Sequence, residues 1–171
     1  LLSDAQESIR ARSERAFSHL QRLIVVDETV REKWQAAFKE GEVACEKLGA
    51  VHLLWHGIWA FKFDAIKGRT DLVFQEPAGD LTKEQRYVDG FVLTEWKMAR
   101  PGDNAEQRFK EARLQASRYS QGVLAGSELT SYRFAIVVSW EQVAVPDDYT
   151  EDLVIYRHIN IAVEPKLPSQ K

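Results

Sequence analysis

A single cysteine, Cys45, stands in a chain of 171 residues. No intrachain disulfide can form, and the sequence suits a reducing, cytoplasmic compartment. No apolar run is long enough to span a bilayer, and the opening Leu1-Leu2-Ser3-Asp4 has none of the character of a secretory signal. Both absences predict a chain without membrane association. Internal repeats and low-complexity tracts are missing. So are G-x-x-x-x-G-K-[ST], G-x-G-x-x-G, Cys/His zinc spacing and the G-x-S-x-G nucleophile turn, which weakens nucleotide-hydrolase, dehydrogenase and serine-hydrolase readings. A starting Met is lacking as well, which is compatible with excision from a larger parent protein. Finally, there is no excess of positive charge: the formal net charge is −3. That does not advertise a nucleic-acid binder, yet a carboxylate-rich metal site would offset bases elsewhere, and the local field counts for more than the sum.

What is present describes one globular domain. Apolar residues make up 44% and charged residues 29% of the chain, enough to bury a sizeable core. The informative stretch is Phe91-Val92-Leu93-Thr94-Glu95-Trp96-Lys97-Met98, read with Gly68-Arg69-Thr70-Asp71-Leu72-Val73-Phe74. Both read as strands rich in β-branched and aromatic residues, and both carry ionisable groups where a buried strand should have none. Alternation puts Glu95 and Lys97 on one face and Thr94, Trp96 and Met98 on the other. With the Asp71 strand alongside, two carboxylates and a lysine meet at one end of a sheet. Mg²⁺ favours such a set, because it takes a few carboxylate oxygens and leaves positions for water and phosphate. Alone, the E-x-K triplet is more often a solvated edge strand.

Downstream, Asn104 to Gly122 reads as a helix capped by Asn104, with Gln107 three residues on in the manner of a capping box. Gln115 and Tyr119 lie on it at i, i+4, and so on one face. From Trp96 to Tyr119 six bases stand against three acids, and Arg113 and Arg118 are candidates for phosphate contact, beside the commoner reading of a solvated helix face.

The ordered series Asp71, Glu95-Trp96-Lys97, Gln115-Ala116-Ser117-Arg118-Tyr119 resembles the PD-(D/E)XK nuclease superfamily over roughly residues 40 to 140. It is nearest the branch containing lambda exonuclease and RecB-type nuclease domains, in which Q-x-x-x-Y follows the E-x-K strand. Thr70 stands where the family name has Pro. The resemblance implies an α/β, restriction-endonuclease-like fold and metal-dependent hydrolysis of DNA phosphodiesters, in DNA processing or phage defence. It also implies roles: Asp71, Glu95 and the carbonyl of Trp96 hold Mg²⁺ or Mn²⁺, Lys97 assists the attacking water, and Gln115 and Tyr119 position the water or the phosphate. A glutamate from the helix before the first strand often joins the metal. The rival is a nuclease-like scaffold turned non-catalytic binding module within a larger assembly.

The remaining chain fits a mixed central sheet flanked by helices. Two N-terminal helices are expected over 3–49, the first capped by Ser3 or Asp4 and running to about Leu23, the second from near Asp27 to Gly49. On a helical wheel Glu42 falls nearer the buried stripe of the second than Glu46 does, which favours Glu42 for the metal and leaves Glu46 open. A core over 50–164 follows. Val51 to Asp64 reads as one long strand, with Gly57 as a bulge and with His52 and His56 partly buried and hydrogen-bonded. Leu53 stands where a zinc H-E-x-x-H needs its Glu. Ile66-Lys67-Gly68 turns into the Asp71 strand as an antiparallel hairpin, and Gln75 to Gly90 reads as a polar connection. Tyr132 to Trp140 reads as a strand parallel to the E-x-K strand. Pro146-Asp147-Asp148 is a solvated acidic turn, Leu153 to Val163 a last strand, and 165–171 a frayed tail. Cutting both strands of a duplex would favour a homodimer.

Overall fold

The computed structural model describes residues 3–64, 69–72, 75–77, 90–119, 129 and 131–166, with side chains described outside 63–89. Among these the chain is α/β: a mixed seven-stranded sheet flanked by four helices.

Helix α1 (Asp4–Val26) begins at a full capping box, Ser3 with Gln6. Its orphan carbonyls at Ile24 and Val25 accept from the Arg31 guanidinium at 3.2 and 2.9 Å. Helix α2 (Glu28–Glu40) is capped by Asp27, whose side chain accepts from the Val30 amide. The single second helix expected to Gly49 is in fact two. Gly41, at φ 144° and ψ −178°, breaks it before α3 (Glu42–Trp55). That backbone region is open to glycine and rarely to other residues.

α3 also overturns the long strand expected from Val51. The alternation of Val51 to Trp55 is overridden by a helical stripe, Cys45, Gly49, Ala50 and Leu53, all buried. Gly49 does not end the helix. A Cβ there would stand 2.1 Å from Cη2 of Trp96, so Gly49 is where that ring presses against α3. Gly57, at φ 78°, is not a bulge but the turn that closes α3 and releases β1 (Ile58–Asp64).

β1 pairs antiparallel with β2 (Arg69–Leu72), as the hairpin expectation required, and β2 pairs with a short β3 (Gln75–Pro77) inside the stretch read as a connection. The turn at 65–68 and the rest of that connection lie outside the described residues, as does most of the tail. β4 (Gly90–Ala99) runs parallel to β1 and to β5 (Tyr132–Ser139), and β5 parallel to β7 (Val154–Ala162). β6 (Tyr149–Glu151) pairs back on β7 through Asp152 and Leu153, both at positive φ, as a two-residue hairpin turn with the twist of its strands requires. The order is β3-β2-β1-β4-β5-β7-β6.

Helices cover both faces. Phe17, Leu20, Trp34, Phe38 and Leu53 pack on Val92, Trp96, Phe134, Ile136 and Val138. On the opposite face α4 (Ala105–Ala116) puts Phe109 and Ala116 against Val137, Phe91 and Leu93. Trp96 sits at the centre of the first layer, its ring tilted against Phe17 and stacked with Trp34, its Nε1 donating to Thr94 Oγ1 at 3.1 Å.

Candidate active site

β4 changes partner along its length. Gly90 to Leu93 pairs with Ile58 to Phe61 of β1, whereas Thr94 to Ala99 pairs with Phe134 to Ser139 of β5. Beyond the hand-over β1 carries on with β2, where Lys62 is in register with Asp71. The sheet therefore splits between Leu93 and Thr94, and Glu95 and Lys97 are among the first residues past the split. Asp71's side chain lies outside the described residues.

Val92, Trp96 and Met98 belong to the α1–α3 layer and Phe91 and Leu93 to the α4 layer, so alternation assigns Glu95 and Lys97 to the α4 face. Glu95 is buried at 3% exposure. Lys97 nevertheless brings Nζ within 4.0 Å of Glu42 Oε1, at the first residue of α3 on the other face. A pair spanning the two faces has to meet at the edge of β4 that the split leaves open.

Glu46, one turn further along α3, is 6% exposed and accepts from Lys62 Nζ at 3.2 Å. Burial holds its carboxyl above the ordinary carboxylate range, Lys62 pulls against that shift, and the charge of Glu42 adds to it. Contrary to the order expected from the helical wheel, Glu46 is the interior glutamate and Glu42 the exposed one. The break at Gly41 resets the helical phase between α2 and α3, so a wheel continued through Gly41 misplaces both side chains. One turn of α3 straddles the split, Glu46 toward the hairpin carrying Asp71 and Glu42 toward β4. Lys62 is the residue that sequence reasoning missed. Its signal was a charge inside the apolar run Trp59-Ala60-Phe61-Lys62-Phe63. Beside the split, a cavity of about 260 Å³ is lined by Glu42, Lys97, Arg100, Asp103 and Arg108.

The donors suit a hard cation, since they are carboxylates, and a positive ion would relieve the burial that disfavours charge on Glu46. Among the described residues no three His, Cys, Asp or Glu side chains are grouped to hold one; Asp71 stands outside that set.

Gln115 and Tyr119 do not share a helical face as expected. α4 is capped by Asn104, which accepts from the Gln107 amide at 3.1 Å, but it ends at Ala116. There the carbonyls of Ala116 and Tyr119 accept from the buried Arg133 guanidinium at 2.6 and 3.3 Å. A cation on the last carbonyls of a helix is a stabilising terminus. Tyr119, past this end, packs edge-on against Phe61 with Phe91 and Leu93 near the start of β4, away from Lys97. Gln115 is half-buried on the last turn.

Arg113 is not a free phosphate ligand. It donates to His158 Nε2 at 3.1 Å and lies 4.2 Å over the Tyr149 ring. Arg118 is exposed. The acidic turn is not merely solvated, because Asp148 Oδ2 accepts from Arg157 Nη2 at 2.9 Å. His52 and His56 lie on α3 and at its C-cap, bonded to the carbonyls of Ala16 at 2.8 Å and His52 at 3.1 Å.

No known protein family, no curated protein and no solved structure matches the chain. No helix among the described residues is long and apolar enough to cross a membrane.

Proposed function

We propose that the chain is a metal-dependent nuclease of restriction-endonuclease-like fold, hydrolysing phosphodiester bonds in DNA. The observation that carries this reading is the split in the sheet, with Glu46–Lys62 on one side and Glu42–Lys97 on the other, and with Glu95 buried beside it where a solvated E-x-K strand would leave the carboxylate in water.

Asp71, Glu95 and the carbonyl of Trp96 would hold Mg²⁺ or Mn²⁺, with Glu46 the better of the two α3 glutamates because it is the buried one and bonds Lys62, which is in register with Asp71. Bound there, the ion would polarise the phosphate and acidify its water. Lys97, part-exposed beside Glu42, would take up charge developing on the phosphate or hold the water. Gln115 would act from the end of α4 that faces the sheet. Tyr119 has a structural part first, as the edge that closes the aromatic cluster with Phe61.

The rival, a binding module without catalysis, draws support from the burial of Tyr119 at 5% exposure and from the engagement of Arg113 with His158. Incubation of plasmid and linear DNA with Mg²⁺ separates the two. Cleavage by the wild type that is lost in Lys97→Ala supports the nuclease, and a folded wild type that binds Mg²⁺ and cuts neither substrate supports the module.

A further inference from the structure

The 26 acidic residues of this chain are unevenly spread. From Arg15 to Val26 on α1, and from Lys47 on α3 through to Lys62 on β1, there is no Asp or Glu at all. These two segments lie side by side. His52 Nε2 is 2.8 Å from the carbonyl of Ala16, and the His19 and His56 rings are 5.7 Å apart between centroids. Arg15 and Arg22 flank His19 one helical turn to either side, and all three are exposed. Next to His56 stands Trp55, 86% exposed. Going back along α3 by four residues at a time from Trp55 gives Val51 and Lys47, both exposed, so one stripe of the helix is a tryptophan, a valine and a lysine facing water.

A tryptophan left in water at this exposure contributes nothing to the core, and the net charge of −3 makes a patch of Arg15, His19 and Arg22, set on segments that carry no carboxylate, stand out. An anionic polymer with flat aromatic units matches both features: phosphates for the bases, an unstacked base for the indole. An anionic membrane surface matches the charge only. Interfacial helices need a broad apolar face, and here histidines interrupt it.

We infer that this α1/α3 face binds single-stranded DNA, with Trp55 as the platform for an unstacked base. The inference deepens the nuclease reading and rests on it for the position of the scissile bond. Glu46 and Trp55 are nine residues apart on one helix, about 14 Å along its axis at 1.5 Å per residue and half a turn apart around it, so a strand joining them passes round α3 and spans about five or six nucleotides at 3.4 Å each. A flexible single strand or a frayed end can follow that path round the helix, and a stiff intact duplex cannot.

The test is anisotropy of a fluorescein-labelled oligothymidylate in EDTA, so that no cleavage intervenes. Trp55→Ala is expected to weaken binding by about 5- to 100-fold, while Trp55→Phe, which keeps a ring, retains most of it. Arg15→Glu with Arg22→Glu is expected to weaken binding and flatten its salt dependence. Leu153→Ala, at another exposed apolar residue, leaves it unchanged. Equal binding by wild type and Trp55→Ala overturns the inference. So does Trp55-dependent binding to phosphatidylserine vesicles without binding to the oligonucleotide, or a dimer in light scattering that Trp55→Ala dissolves. Failure of the two readings is distinguishable. Trp55-dependent binding with no Mg²⁺-dependent cleavage fails the nuclease alone, and cleavage with Trp55-independent binding fails the platform alone.

Discussion

The ammonium of Lys62 lies 3.2 Å from the carboxylate of Glu46 and joins the first strand of the sheet to the helix before it. Removing either partner has different consequences. Lys62→Met leaves a carboxylate that is 8% exposed without its cation, and stability is expected to drop by about 1–3 kcal/mol in urea unfolding. Glu46→Gln with Lys62→Met recovers part of that loss, because no buried charge is stranded. Equal losses in the single and double variants would show that the pair is not coupled.

Gly49 and Trp96 make a contact that admits no added carbon. Because a methyl group at Gly49 would stand 2.1 Å from the indole, Gly49→Ala is expected to destabilise by about 1–3 kcal/mol despite alanine's better helix propensity. Adding Trp96→Phe should restore part of it. A Gly49→Ala protein as stable as the wild type would mean that the ring moves freely.

Glu95→Gln and Lys97→Ala are each expected to reduce Mg²⁺-dependent cleavage of DNA by about 10² to 10⁴-fold, the range that positioned proton transfer or charge stabilisation supplies. Melting temperature with Mg²⁺ should rise for the wild type and less for Glu95→Gln. Full cleavage by both variants would place the chemistry elsewhere.

His158 supplies a pH dependence. Its Nδ1–H donates to the Asp147 carbonyl at 3.0 Å, which leaves Nε2 to accept from Arg113. Burial, then the Arg113 charge, lowers its pKa below the ordinary 6.5, while the carbonyls of Asp147 and Pro146 and the charge of Asp148 pull the other way. The unfolded chain therefore takes up the proton first, and stability falls as pH drops below about 6.5, levelling once the folded ring also protonates. Urea unfolding between pH 7.5 and 5 should show this slope, and His158→Gln should reduce it. Part would remain, because burial lowers His52 in the same direction. An unchanged slope in the variant would exclude His158 as its source.

Much of this architecture is legible in the residues. Ser3 and Asn104 announce their helices because a side-chain acceptor before an apolar stripe has a local job to do. The β1/β2 hairpin and the parallel β4/β5 pair follow from alternation and from the length of the connections. Val51 to Trp55 misleads, because Leu53 and Trp55 alternate as a strand would while the burial of Cys45, Gly49, Ala50 and Leu53 follows a helix. Tertiary packing against Trp96 decides between the two periods. Gly41 and Gly49 were legible as glycines but not as roles, since one is required by its backbone angle and the other by a neighbour distant in sequence. That Glu95 and Lys97 share one face of β4 is readable from strand parity alone. Lys62, Glu46 and the retreat of Tyr119 depend on where α3 and α4 begin and end, which spacing does not specify.

The exchange of partners by β4 has a mechanical side. Its first four residues are laced to the hairpin half and its last six to the β5 half, so a single covalent strand serves both as a rail for one blade and as a rail for the other. Changing the angle between the blades breaks no rung of either ladder. The width of the seam then depends on the side chains packed across it, among them the grip of Glu46 on Lys62 and of Glu42 on Lys97, and a polyanion entering it would compete for both lysines at once.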